Sequence, residues 1–313
     1  MIPLVIDTDP GVDDAMALML AAASAEVDLR AVTTVFGNTT LPRTTANAGR
    51  VLALAGRPDV PVAAGAARPL VHAQRERAEH WHGDDGLGGR SSALPRGADP
   101  DPRGALGLLA SVLQASSDLV TLAAIGPLTN VALLLAVHPE LARRIGRIVW
   151  MGGSLSGGNA TGAAEFNAHC DPEAAHRVLT QPDVPVTMVP LDLTRRCPVG
   201  PGWLAALAAA GPATAELGRM VAHYRAAISA HHGVDAVAVH DAVAMLEAIL
   251  PGTLRCTPQA VWVACDLGPA RGATVAGGPA GPTVGVALDA NTDAVSAEIL
   301  RRLTAQASPF STA

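Results

Sequence analysis

A chain of 313 residues, 49% hydrophobic and 16% charged, can bury a sizeable core within one large α/β domain. A net charge of −6 without a basic run, and only 3% aromatics, exclude the usual footprints of nucleic-acid or anionic-membrane partners. All 22 residues counted as Lys plus Arg are arginine, so a Walker A phosphate loop and a Schiff-base lysine are both ruled out.

In chain order, residues 4–6 form a short apolar run that predicts a buried strand, and the apolar spacing over 12–23 predicts a helix. A strand at 28–35, a helix at 41–55 stopped by Gly56 and Pro58, and a third strand at 60–63 continue the alternation. Residues 66–102 break it. They are rich in Arg, Gly, Asp and Pro, carry His72, His80, Trp81 and His82, and predict a long functional or mobile loop. Alternation resumes with a strand at 119–124, a helix at 127–137 and a strand at 148–151. A second polar loop covers 152–168, followed by a helix at 172–179 and a strand at 184–189. Residues 201–250 read as mostly helical, interrupted at His231-His232-Gly233, and 260–265 and 284–288 read as late, antiparallel strands.

This pattern predicts an open, mainly parallel, Rossmann-like α/β sheet with helices on both faces and a mostly helical C-terminal part, as a single domain over 1–313. Cys170, Cys197, Cys256 and Cys265 form no C-x-x-C pair and are expected to be reduced. With no signal-peptide pattern and no apolar run of about 20 residues, the expectation is a cytoplasmic protein without a membrane partner.

The chemistry concentrates at Asp7-Thr8-Asp9-Pro10-Gly11-Val12-Asp13-Asp14, just past the first strand. Ligands of open α/β sheets bind at such carboxyl ends. Four neighbouring carboxylates repel one another, a cost that a bound cation offsets. Ligands that are all oxygen suit calcium or magnesium, whereas zinc prefers His and Cys. The blander explanation, acidic residues favouring a helix start, accounts for one or two of these aspartates rather than four. A strand followed by Asp-x-Asp also opens phosphatases of the haloacid-dehalogenase type. Those use an aspartate nucleophile and normally a lysine, which this chain lacks, and Pro10-Gly11-Val12 departs from their pattern.

The segment from Asp7 to Asp14 resembles the N-terminal signature of the inosine/uridine-preferring nucleoside hydrolases. Further segments are similar to that family in the same order: Phe36-Gly37-Asn38, the stretch from Trp81 to Gly88, and the stretch from Ile125 to Asn130. Met151-Gly152-Gly153, Gly158-Asn159, Ala164-Glu165-Phe166-Asn167 and His240-Asp241 follow. The resemblance implies hydrolysis of ribonucleosides to ribose and free base, with Ca2+ as cofactor. It implies that Asp9, Asp14 and Asp241, with the Ile125 carbonyl, hold the metal. Asp9 would also be the general base for a metal-activated water, and Asn38 would help orient the water or the sugar. Asp13, Asn159, Glu165 and Asn167 would grip ribose hydroxyls, and Met151 would line the pocket. His240 would donate a proton to the leaving base. Asp7 is left to support the turn. The family's usual assembly implies a homodimer or homotetramer.

These roles fit the chemistry. Cleavage through an oxocarbenium-like sugar requires an activated water, a base beside it and a stabilised leaving group. The Asp, Asn and Glu mixture suits diol recognition and favours free nucleosides over phosphorylated ones. His82 is open between contacting the base and packing against Trp81. For His231 and His232, capping or solvation competes with base contact, and Tyr224, the only tyrosine, leaves base preference open. Gly152-Gly153 and Gly157-Gly158 lack dinucleotide-loop spacing. A catalytically silent nucleoside- or ribose-binding protein on the same fold is the second hypothesis.

Overall fold

The computed structural model describes residues 1–74, 77–180, 184–277 and 282–305, and the backbone alone at His232. Its strands are β1 (Ile2–Thr8), β2 (Val27–Thr34), β3 (Val62–Ala64), β4 (Val120–Ala124), β5 (Ile145–Met151), β6 (Val186–Val189), β7 (Pro198–Val199), β8 (Val237–Ala238), β9 (Arg255–Val263), β10 (Thr274–Ala276) and β11 (Thr283–Asp289). The helices are α1 (Val12–Ala23), α2 (Leu41–Leu54), α3 (Glu79–His82), α4 (Gly104–Ala115), α5 (Thr129–Val137), α6 (Phe166–Cys170), α7 (Pro172–Leu179), α8 (Leu191–Thr194), α9 (Pro201–Ala209), α10 (Pro212–His232), α11 (His240–Ile249) and α12 (Thr292–Ala305).

Among the described residues, nine strands form one sheet in the order β10-β9-β11-β6-β5-β4-β1-β2-β3, and β7 pairs with β8 separately. The run from β11 to β3 is parallel. β9 is antiparallel to both β11 and β10, as the late apolar runs suggested.

Alternation along β1 shows why parallel strands read as continuous apolar runs. Leu4 and Ile6 enter one core layer with α1, α2 and α9 to α12, whereas Val5 enters the other with α4, α5 and α7. Helices therefore cover both faces. Among the described residues, no helix is long and apolar enough to cross a membrane.

Several elements escape the sequence pattern. α4 opens on Gly104 and contains Gly107, which mask its periodicity, yet it buries Ala105, Leu108, Leu109 and Leu113. α12 buries only Val295, Ile299, Arg302 and Leu303. Arg302 secures it by donating to Ser24 Oγ at 2.8 Å and Glu26 Oε1 at 2.7 Å, in the turn between α1 and β2. The two polar segments each hold a short helix, α3 and α6.

Trp150, at 0% exposure, fills the layer behind β4 and donates from Nε1 to Gly126 O at 3.3 Å. Trp150→Ala should cost about 3–5 kcal/mol through the cavity it leaves, measured by urea unfolding.

Candidate active site at the sheet's switch point

Strand order reverses at β1: β2 and β3 extend to one side, while β4, β5 and β6 extend to the other. Such a reversal opens a crevice beyond the strand ends, where ligands bind. The chain after β1 carries Asp9, and the chain after β4 carries Ile125 and Gly126. Ile125 N donates to Asp7 O at 2.8 Å, which ties the two ends together.

Asp7 differs from the sequence reading. It lies inside β1 rather than in the turn, and its Oδ1 accepts from Thr33 Oγ1 at 2.6 Å and Asn130 Nδ2 at 2.8 Å. Asn130 also donates to Thr34 O and accepts from Ala66 N, so one side chain joins β1, β2 and the segment after β3. Neighbouring Thr129 donates to Asp171 Oδ2 at 2.7 Å. The Thr129-Asn130 pair is thus a scaffold beneath the site.

The remaining aspartates converge. Asp14 Oδ1 accepts from Thr8 Oγ1 at 2.6 Å, and its Oδ2 accepts from Gly11 N at 2.9 Å and Asn38 Nδ2 at 3.1 Å. Asp9 Oδ2 accepts from Asn38 N at 2.7 Å, while Oδ1 is buried without a protein partner. Asp13, Asp14 and Asp241 offer oxygens that all lie within 4.8 Å of one another, and this cluster could hold a metal ion. Asp9 stands outside that trio. Burial, reinforced by neighbouring carboxylates, holds Asp9 and Asp241 well above the ordinary carboxylate range and pushes Asp13 up to about 8. Burial also raises Asp14, and it pushes Asp7 up to about 7 against its hydrogen bonds. The donors are all oxygen, Asp9 Oδ1 is buried and unpaired (as is Asp7 Oδ2), and the carboxylates crowd one another; these features fit a hard cation.

Two glycines make room for Asp9. A Cβ on Gly37 would lie 2.0 Å from Asp9 Oδ2, and one on Gly126 would lie 2.5 Å from Oδ1. No L side chain fits either position without displacing the carboxylate.

One wall comes from β5 and α6. Glu165 is the N-cap of α6; it accepts from Asn167 N, Ala168 N and Gly153 N, and burial pushes it up to about 7. Asn167 Nδ2 donates to Met151 O at 3.0 Å and Ile125 O at 3.4 Å. Asn159, on the exposed rim, accepts from Phe166 N at 2.9 Å.

The opposite wall carries imidazoles. His82 Nδ1 accepts from Val12 N at 3.1 Å, which leaves the ring proton of the neutral form on Nε2. Its ring stacks on Tyr224 at 5.2 Å and 13°. Trp81 meets His231 edge-on at 5.3 Å, so α3 seats against the end of α10. Gly233, at φ 69°, closes that helix in the left-handed region. His240 Nδ1 lies 2.7 Å from Thr194 Oγ1. Burial, then neighbouring histidines, pushes His82 down to about 3, and burial, then Arg195, pushes His240 down to about 4. Both rings are neutral near pH 7. The side chain of His232 lies outside the described residues.

One cavity of about 780 Å3 joins these walls. Asp13, Asn38, His82, Ile125, Met151, Asn159, Glu165, Asn167, His240 and Asp241 all line it, with Asp9 and Asp14 beneath. Arg77, Arg195, Ile228, Val234 and Ala236 also line it and were not anticipated. They belong to no recognised motif, and only the tertiary fold brings them there. Arg195 donates to Gly158 O at 2.7 Å, bracing the loop that carries Asn159.

An acidic floor at a switch point, able to hold a cation, thus faces a wall of neutral imidazoles across the cavity. Residues 4–297 match the model of the inosine-uridine preferring nucleoside hydrolase family, and the chain belongs to that family. The pyrimidine-specific ribonucleoside hydrolase RihA of Photobacterium profundum is 50% identical over 200 residues, 63% of each chain. RihA of Klebsiella pneumoniae subsp. pneumoniae is likewise 50% identical over 200 residues. The match thus spans about 63% of the length of these curated relatives. A solved plant nucleoside hydrolase, PpNRh1, superposes with a TM-score of 0.91 at 32% identity, covering 97% of this chain and 99% of that one. The purine-preferring ribonucleoside hydrolase from Gardnerella vaginalis gives 0.91 at 27% identity, with the same coverage.

Raised carboxylates bind protons more tightly in the folded state than in the unfolded one. The cation-free protein should therefore lose stability as pH rises from about 4 to about 8. A divalent cation held by the cluster should reverse this by favouring the ionised form. Melting temperature against pH, with chelator or with added calcium or magnesium, checks it; curves that coincide for both ions refute a cation site. Gly37→Ala should weaken divalent-cation binding about 10- to 100-fold by moving Asp9, as measured by calorimetric titration.

Proposed function

We propose that the chain, as one nucleoside hydrolase domain over 1–313, hydrolyses the N-glycosidic bond of ribonucleosides in a calcium-dependent reaction, with pyrimidine nucleosides preferred. The observation that carries this reading is the single cavity between an oxygen-only carboxylate floor and two neutral imidazoles. The pyrimidine preference draws on the names of the 50%-identical relatives.

Asp9, Asp14, Asp241 and the Ile125 carbonyl would hold calcium, a set supported by the unpartnered Asp9 Oδ1 and the convergence of Asp14 with Asp241. When bound, the ion would supply positive charge that lowers the pKa of the attacking water. Asp9 takes the proton of that water. Asn38, already donating to Asp14, orients water and sugar. Asp13, Asn159, Glu165 and Asn167 receive the ribose hydroxyls, and Met151 packs beside the ring. His82 and His240 donate hydrogen bonds to the departing base, which leaves as the oxocarbenium-like sugar forms. Cytoplasmic location and homodimer or homotetramer assembly belong to the same reading.

Calcium-loaded protein should release reducing sugar from uridine and cytidine at least about tenfold faster than from inosine and adenosine. Asp9→Ala should lower turnover by on the order of 10³-fold. No sugar from any of the four nucleosides, with calcium bound, would leave only a binding role.

A further inference from the structure

One turn of helix touches two walls of the cavity. In α8, Asp192 Oδ2 accepts from Leu155 N at 2.8 Å and Ser154 Oγ at 3.1 Å. Arg195, its C-cap, donates to Gly158 O at 2.7 Å. Both residues hold the sugar-side loop. Thr194, between them, makes a different contact: its Oγ1 lies 2.7 Å from His240 Nδ1.

Thr194 is fully buried, and its hydroxyl has no other partner among the described residues. The Pro190 carbonyl four residues back, the usual acceptor for a helical threonine hydroxyl, takes the Thr194 N–H at 3.2 Å and not its hydroxyl. If Nδ1 carried the ring proton, the threonine hydrogen would be stranded away from water, which is unfavourable. The hydroxyl therefore donates and Nδ1 accepts. In the neutral ring this places the proton on Nε2. Thr194 thus does for His240 what the Val12 amide does for His82.

We propose that Thr194 is a positioning residue for glycosidic cleavage, selecting the Nε2–H form of His240 and holding the ring so that this donor meets the departing base. The inference rests on the hydrolase reading above. The C1′–N bond breaks with its electron pair leaving on the base, and the Nε2–H hydrogen-bonds that developing charge. The base takes its proton from water afterwards, so no proton leaves the ring. The opposite tautomer would turn a lone pair on the same charge.

The test compares uridine, whose base needs a donor, with 4-nitrophenyl ribofuranoside, whose phenolate leaves without one. Thr194→Val, close in shape but lacking the hydroxyl, should lower kcat on uridine about tenfold or more. KM should stay within about twofold, and the nitrophenyl riboside should be cleaved at nearly the wild-type rate. Thr194→Ser should restore uridine turnover. Equal losses on both substrates, or no loss on uridine, overturn the proposal. Nitrogen-15 spectra of the calcium-loaded wild-type protein decide the ring form without turnover. A protonated Nδ1 on His240 overturns the proposal whatever the kinetics, and an acceptor-type Nδ1 supports it. If wild-type protein cleaves neither substrate, the hydrolase reading fails, and with it the cleavage role of Thr194. The spectra then report the tautomer alone.

Discussion

The repulsion among buried carboxylates at the ends of β1 and α11 is the constraint on which the rest of the site depends. Asp9, Asp13, Asp14 and Asp241 are all more than nine-tenths buried, and burial drives each upward in pKa. Removing charge from water is unfavourable, and adding like charge makes it worse. A fold tolerates this arrangement when something positive completes it. The oxygen-only donor set and the bare Asp9 Oδ1 indicate what that is.

Much of the surrounding architecture makes sense as support for that cluster. Asn130 and Thr33 share Asp7 Oδ1, so β1 is tied to β2 and α5 one step below the site. Gly37 and Gly126 approach Asp9 from two sides, where any Cβ would collide with the carboxylate. Asn38 donates from its backbone to Asp9 and from its side chain to Asp14. These contacts orient each carboxylate before a ligand arrives, and so reduce the reorganisation a reaction would require.

The far wall follows the opposite logic. His82 is buried and His240 half-buried, and their Nδ1 atoms are engaged by Val12 N and Thr194 Oγ1. Burial favours the neutral ring in both. The cavity therefore sets a carboxylate cluster that a cation would hold ionised against a region of fixed, uncharged imidazoles. That separation suits the proposed reaction, which would build positive charge on a sugar and negative charge on a departing base.

The sequence by itself determined the alternation of elements and the acidic segment after β1. Strand and helix periods are local, and Asp9, Asp13 and Asp14 lie within one short stretch. Ten of the twelve residues singled out as site candidates line one cavity, because motifs at strand ends are carried to the same edge of a parallel sheet. Tertiary structure decided what no local pattern encodes. It moved Asp7 from the turn into a cross-strand tie, because its partners Thr33 and Asn130 are 26 and 123 residues away. It revealed α4 and α12, whose glycines or few buried positions weaken the periodic signal. It also brought Thr194 to His240 across 46 residues. Such contacts depend on how layers pack, and spacing along the chain carries no trace of them.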